Sequence, residues 1–551
     1  MEKVDLIRQF LEERYKRSGG KGASPAEDLE KLKDLWAPSV ASLRVLASKE
    51  YGLGLVSRKV FEDLGMVDAL QSVEDKHKAQ YPFAEIIWSM VLNRLIDPMS
   101  KNAANDWAQN DANLPDVADL NVEHYYRALD HLEKHSEAVL AVVGQSARAT
   151  LSTAELEPLL IDTTTSYLVT EYDDVERQQL VEDWENFEKG QGKKPSIAKP
   201  KVTNDPVLLM RGHSKDHRPN LPQIKIGLAL TKQGKIVNIQ LRNGATGDQK
   251  MTLDLLKEAR QQLPDHNLVA VMDSGMGGTP NLKEIDKLQP SFHRVSAVPL
   301  RRSKTAEEHL LQKTGRWKRH PYKRGFLYRS QILAPSENSS GRKEIWIATR
   351  NSKEEGRQLR AIERNVEKVK TALKKNNKPS KKGKPVCKEL LQANLRRFVK
   401  LNAKGTRIIL DQDAIRLERR RAGVHLLRST LVNHPAEMSL RAYDAQYGIE
   451  ATFRLFKSGV KLRPMYHRKA SRIRAHLIIN ALSVMLIREL ERRSGHTLQQ
   501  LKKVIGRNRI TLMQQGSRKF WQRQVWSPEA LAVLEKLEVS PGAEKWAHIE
   551  K

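Results

Sequence analysis

A phenol, a carboxylate and an ammonium recur at seven-residue steps in RAYDAQYGIEATFRLFKSGVKLRPMYHR, at Tyr443, Glu450 and Lys457. An α-helix turns about 100° per residue, so this spacing predicts one helix with the three side chains on one stripe. Arg454 would lie one turn beyond Glu450, and Ile449, Phe453 and Phe456 form a neighbouring apolar stripe suited to a core. A carboxylate among groups able to bind phosphate suits metal-assisted chemistry on a nucleic acid backbone. For this helix alone, a solvated face with ordinary i, i+4 pairs is an equal alternative.

Two aspartates upstream shift the balance. Asp162 lies in the β-branched, apolar segment LEPLLIDTTTSYLV, and Asp273 ends the short apolar run NLVAVMD. Both segments read as strands, and ligand sites in open α/β sheets gather at the carboxyl ends of strands. If the two strands are neighbours, both aspartates reach one crevice and the Glu450 helix adds a third carboxylate. Each aspartate singly reads more readily as a cap or turn residue; the set of three is far more specific. Hard oxygen ligands suit Mg²⁺, with Mn²⁺ as a substitute. Two such ions about 4 Å apart can activate an attacking oxygen and stabilise a leaving one. No Ser/His or Cys/His constellation offers a side-chain nucleophile instead.

The elements that must position these residues follow from pattern. Residues 1–60 form an N-terminal arm with a loop at Ser18–Pro25, and 61–150 have the spacing of a helical, candidate DNA-binding domain. Residues 151–300 read as strands and helices of a mixed α/β sheet in the order β-β-β-α-β-α-β, with KQGK as a hairpin turn. Within it, Glu185–Lys201 reads as a mobile loop and Asp248 as a helix cap. Residues 301–438 form a basic, partly β insertion with a lysine-rich tract at Lys374–Pro385. Residues 439–493 resume the α/β domain, and 494–551 read as a helical tail.

Lys and Arg number 96 against 66 Asp and Glu, a net charge of +30. The interval 296–330 alone holds ten Lys/Arg and two Glu. Such an excess points to a polyanion as partner, with an anionic membrane surface as the rival. The first residues are charged throughout, unlike a secretory leader, and the most apolar run, Leu477–Ile487, is too short to span a bilayer. The single Cys387 excludes an intramolecular disulfide and a cysteine-built zinc site. These features together predict a soluble, cytoplasmic, nucleic-acid-handling protein.

The chain resembles bacterial insertion-sequence transposases of the DDE class, in the branch marked by a Tyr–Arg–Glu–Lys signature, and within it the long subgroup numbered sixteen-thirty-four in or beside family four. Tyr443, Glu450 and Lys457 match the signature, with Gln446 in the Arg place, where Arg454 or Arg441 could compensate. IDTTT around Asp162 and VMDSGM around Asp273 are similar to the other catalytic boxes. GHSKDHRPNLPQ (Gly212–Gln223), NRLIDPMSK (Asn93–Lys101) and RPMYHR (Arg463–Arg468) also resemble family segments. The resemblance implies a ribonuclease-H-like catalytic domain of mixed sheet interrupted by a β-rich insertion, with helical regions at both ends. It implies Mg²⁺-dependent cleavage of double-stranded DNA at the element's terminal repeats and transfer of 3′-hydroxyl ends to target DNA, by a homodimer in the bacterial cytoplasm. Asp162, Asp273 and Glu450 would hold the metals. Tyr443, Gln446, Arg454 and Lys457 would contact phosphates, with Lys215 and Arg218 nearby. Among the insertion's aromatics, Trp317, Tyr322 and Trp346, one would stack on a displaced base; Trp317 is the leading candidate. A catalytically decayed, DNA-binding relative and a nuclease of the same fold without strand transfer are the alternatives.

Overall fold

A computed structural model of the chain describes residues 2–17, 24–25, 28, 43–76, 80–200, 206–288, 292–303, 316–338, 340–376, 392–463 and 465–547. Most of the Ser18–Pro25 loop, residues 304–315 of the basic interval and the lysine tract beyond residue 376 lie outside the described residues. The chain divides into two compact units: Met1–Val142 with Ala475–Lys551, and Val143–Arg474.

The first unit begins with α1 (Glu2–Arg17), β1 (Leu43–Glu50), α2 (Gly52–Asp63), α3 (Met66–Lys76), α4 (Phe83–Ile96), α5 (Lys101–Asn110) and α6 (Val122–Lys134). The expected helical run from Pro82 onward is present. Helix α4 is apolar on nearly every face, and Phe83, Ile87, Met90, Val91 and Leu95 are all buried, as a central core helix requires. Trp88 of α4 packs on Phe61 of α2 with ring centroids 5.1 Å apart.

After α7 (Ser136–Arg148), the second unit runs through β2 (Leu156–Tyr167), α8 (Asp174–Glu188), β3 (Gln223–Thr231), β4 (Ile236–Asn243), α9 (Asp248–Gln262), β5 (Asn267–Met272), α10 (Thr279–Asp286) and β6 (His293–Val298). It continues with β7 (Lys318–Arg319), β8 (Phe326–Leu333), β9 (Glu344–Asn351), α11 (Ser352–Asn376), α12 (Ala393–Arg396), β10 (Val399–Leu401), β11 (Ile408–Leu410), α13 (Gln412–Arg421) and β12 (Val424–Ser429). Nine strands form one sheet in the order β4-β3-β2-β5-β6-β12-β9-β8-β7. β5 pairs in parallel with β2 and with β6, while every other adjacent pair in the sheet is antiparallel. This is the mixed α/β sheet that the order of elements predicts, and it agrees with the ribonuclease-H-like domain that the family resemblance implies. Met251, Leu255, Leu256 and Ala259 of α9 bury against Leu159 and Ile161 of β2. The close approach needs Gly227 on β3, where a Cβ would meet Leu255 Cδ1 at 2.7 Å.

The long polar stretch at Glu185–Lys201 begins as the last turn of α8, which a capping box of Asp173 and Glu176 starts. Within TRIILDQDAI, only Ile408–Leu410 is strand, and Asp411 caps α13.

The single helix expected from Tyr443 to Lys457 is instead three pieces. α14 (Ala436–Asp444) ends, α15 (Tyr447–Arg454) restarts with Gln446 as its first capping position, and Leu455–Gly459 widens into a π-helical turn. A turn of that kind changes the angle between successive residues, so Tyr443, Glu450 and Lys457 do not share one straight stripe.

The chain returns to the first unit along α16 (Ala470–Ser494), α17 (Leu498–Val504), β13 (Arg509–Gln515), β14 (Arg518–Arg523), α18 (Pro528–Lys536) and β15 (Lys545–Ala547). The stretch ITLMQQGSRKFWQRQV, expected to be helical, is a hairpin turning at Gly516 (φ +59°) in an antiparallel sheet of order β1-β13-β14-β15. Its β-branched and aromatic content favours a strand once β1 supplies an edge to pair with. Helix α16 is long and apolar enough to cross a membrane, but 83% of its most apolar window is buried within the fold, as in a core helix.

Candidate active site

Parallel pairing of β2 with β5 sets the site. Leu160 pairs with Val271, and continuing that register brings Asp162, midway along β2, level with Asp273, the residue just past the end of β5. Asp162 Oδ1 accepts from the Thr163 amide at 2.6 Å and from Lys215 Nζ at 3.2 Å. Burial pushes the Asp162 carboxyl up to about 6; Lys215 opposes that rise, and the charge of Asp273 adds to it. Asp273 follows β5 directly, and its Oδ1 accepts from the amides of Gly275 and Met276 at 2.9 and 3.0 Å. Such a turn fixes the carboxylate at the head of the strand.

Glu450 is exposed on α15 and lines a cavity of about 330 Å³ with Asp162, Lys215, Arg454, Lys457 and Arg463. Asp273 lines a second cavity of about 510 Å³ with His320, Tyr443 and Asp444. Tyr443 feels both sides. Its phenol is pushed up to about 12 by burial first, then by the charges of Asp273, Glu450, Asp162 and Asp444. The charge of all three carboxylates thus reaches one phenol and favours its protonated form. Among the described residues no three His, Cys, Asp or Glu side chains come close enough together to hold a metal ion.

The remaining expected residues separate into groups. Lys457 Nζ donates to Asp216 Oδ1 at 2.7 Å, and Arg454 is exposed on the cavity rim. Lys215 also donates to the Thr163 carbonyl at 2.5 Å, and the Arg218 guanidinium lies 5.9 Å from the Tyr167 ring centre. Gln446 is buried, and its Oε1 has no hydrogen-bond partner among the described residues. Trp317 is half-buried against the cluster of Leu333, Trp346 and Leu426, with the guanidinium of Arg329 4.8 Å above its ring. Trp346 is fully buried and donates to Glu344 at 2.9 Å, whereas Tyr322 is 53% exposed.

Asp248 does not cap its helix through a side-chain bond. Gly247 holds that position, and Asp248 Oδ1 accepts from Thr163 Oγ1 at 2.8 Å and from the buried Lys225 Nζ at 2.9 Å. Burial alone would raise its pKa, but these partners and Lys215 hold it below the usual carboxylate range. Arg463, whose Nη1 is 2.7 Å from Asp216 Oδ1, joins the site through RPMYHR, a segment noted in the sequence without a role for the residue. A strand lysine with buried neighbours was the only available signal for Lys225.

The family described as "Transposase DDE domain" matches the chain over residues 209–486, which contain Asp273 and Glu450 but not Asp162. No curated protein matches the chain. Of the solved structures, a piggyBac transposase synaptic complex with hairpin DNA, determined by cryo-EM, has a TM-score of 0.35 and 10% identity, covering 88% of this chain and 79% of that one. The fold assignment accordingly stands on strand order and the family match.

Proposed function

The chain belongs to the transposase DDE-domain family, divalent-metal-dependent enzymes that cleave and transfer DNA, and on that premise we propose that it cuts the terminal repeats of an insertion sequence and joins the 3′-hydroxyl ends to target DNA. The observation that carries this reading is the paired placement of Asp162 and Asp273 on parallel neighbours, with Asp273 disfavouring the ionised form of Asp162. Two carboxylates that repel in one crevice gain from a cation between them.

Asp162, Asp273 and Glu450 are the residues that would hold Mg²⁺. Their chemistry suits it, and using all three requires them to draw together when ion and DNA bind. The bound ions would supply a Lewis acid for the attacking and leaving oxygens. Lys215 and Asp248 orient Asp162 and Thr163, and the neutral Tyr443 phenol offers a donor, not a base, to a phosphate oxygen. Arg454 takes the phosphate contact for which Gln446, buried at the start of α15, is ill placed. The Gln446 departure leaves the Tyr–Arg–Glu–Lys assignment as the nearest branch. A homodimer on paired ends, acting in the bacterial cytoplasm, completes the proposal.

The test is strand cleavage of DNA carrying the element's ends, with Mg²⁺ or EDTA, beside Glu450→Gln. Metal-dependent nicks at the element boundary, lost in the variant, support the site, and joined products support transposition. Nicks without joining would indicate a nuclease. Tight binding without cleavage under either Mg²⁺ or Mn²⁺ would indicate a decayed enzyme.

A further inference from the structure

One turn touches both halves of the site with opposite charges. Lys215 and Asp216 are consecutive: the first reaches Asp162 Oδ1 at 3.2 Å, and the second is met at Oδ1 by Lys457 Nζ and Arg463 Nη1, each at 2.7 Å. The Asp216 side chain is only 7% exposed, and its Oδ2 is buried with no hydrogen-bond partner among the described residues. Two cations thus converge on one carboxylate beside the cavity that Asp162 and Glu450 line. The turn itself is held in an unfavoured shape. His217 has φ +58°, and Ser214 Oγ accepts from the amides of Asp216 and Arg218 at 3.3 and 3.1 Å. A non-glycine residue keeps that backbone only where its surroundings impose it.

We propose that Lys457 and Arg463 form a two-cation clamp for a DNA phosphate, in which Asp216 is a built-in carboxylate stand-in for the phosphate and Lys215 the matching stand-in for a divalent cation at Asp162. The inference rests on the carboxylate site proposed above. Carboxylate and phosphate present similar acceptor oxygens to a guanidinium, so the clamp can exchange one for the other. An ammonium beside Asp162 repels an incoming divalent ion, which needs the same oxygen at shorter range. Together the two stand-ins keep an opposite-charge site satisfied without substrate, and their release frees both halves at once.

The experiment uses the full-length protein. Mn²⁺ binding is measured by electron paramagnetic resonance without DNA, and binding of a short mixed-sequence duplex is measured by fluorescence anisotropy in EDTA. Lys215→Met is expected to bind Mn²⁺ roughly tenfold more tightly than the parent, and Asp216→Asn to bind the duplex several-fold more tightly at low salt. Arg463→Gln should weaken duplex binding, and it keeps the clamp testable if Asp216→Asn does not fold. Unchanged Mn²⁺ affinity in Lys215→Met, while Asp162→Asn loses Mn²⁺, overturns the cation stand-in but leaves the carboxylate site standing. Equal or weaker duplex binding by Asp216→Asn, or undiminished binding by Arg463→Gln, overturns the clamp. If Asp162→Asn binds Mn²⁺ like the parent, the carboxylate site itself fails and this inference with it.

Discussion

Arg294 on β6 and Glu344 on β9 meet at 2.6 Å, Nη1 to Oε1, with both side chains wholly shielded from solvent. Arg294 also donates to both oxygens of Asp286 at 3.0 Å, and Glu344 accepts from Trp346 Nε1 at 2.9 Å. Burial opposes the guanidinium charge, but the carboxylates prevail and raise its pKa further. Neutralising Glu344 leaves Arg294 paired with Asp286 alone and removes one buried charge-assisted hydrogen bond, a loss of about 1.5–3 kcal/mol. Glu344→Gln is therefore expected to lower unfolding stability by about that much in denaturant titration. A change below about 1 kcal/mol would show the pair to be dispensable.

Asp162 should stabilise the fold less than its own amide. Its folded pKa of about 6 exceeds the ordinary carboxylate value. The contribution linked to protonation is thus fully present below the unfolded pKa and is lost as pH rises through about 6. At pH above that window, Asp162→Asn is expected to raise stability by about 1–3 kcal/mol, with the gain fading under acid. Thermal unfolding at the two pH extremes checks it. A destabilised variant at neutral pH would contradict the burial argument.

Gly212 and Gly244 lie back to back where the segment bearing Lys215 and Asp216, which leads into β3, passes the end of β4. A Cβ on Gly244 would overlap the carbonyl oxygens of Met210 and Gln223, and one on Gly212 would overlap the Gly244 carbonyl. Backbone cannot yield as a flexible side chain does, so Gly244→Ala should cost about 3 kcal/mol or more. Chemical denaturation would register it, and a neutral result would mean the strand end can shift.

Duplex binding should fall steeply as salt rises, because the +30 charge favours counterion release from many phosphates. Asp273→Asn and Glu450→Gln should keep that salt slope while losing cleavage. Anisotropy titrations over a salt series decide the point. A flat response would remove the polyanion argument, and equal loss of binding in both variants would assign them structural roles.

Several elements were legible because their cause is local. Val269, Ala270 and Val271 make β5 a buried strand, and the alternation of Gln223–Thr231 and Ile236–Asn243 around KQGK makes a hairpin. Helix α8 is missing from the expected order β-β-β-α-β-α-β, although Asp173 and Glu176 have the spacing of a capping box. The hairpin at Arg509–Arg523 is expected as helix; its β13–β14 pairing is local, but the pairing of its other edge is with β1, more than four hundred residues earlier.

By itself the sequence determined the acidic and basic residue types of the site, the mixed α/β character and the excess of positive charge, since each follows from composition or short spacing. Tertiary structure alone decided that β2 and β5 are parallel neighbours, which brings Asp162 beside Asp273 across more than a hundred residues. It also decided that the Tyr443–Lys457 stretch breaks and widens, and that Asp216 joins Lys457 and Arg463. The physical reason is that charge pairing and burial act through space: a carboxylate's partner and its pKa are set by whichever strand or turn packs against it, and no local pattern carries that information.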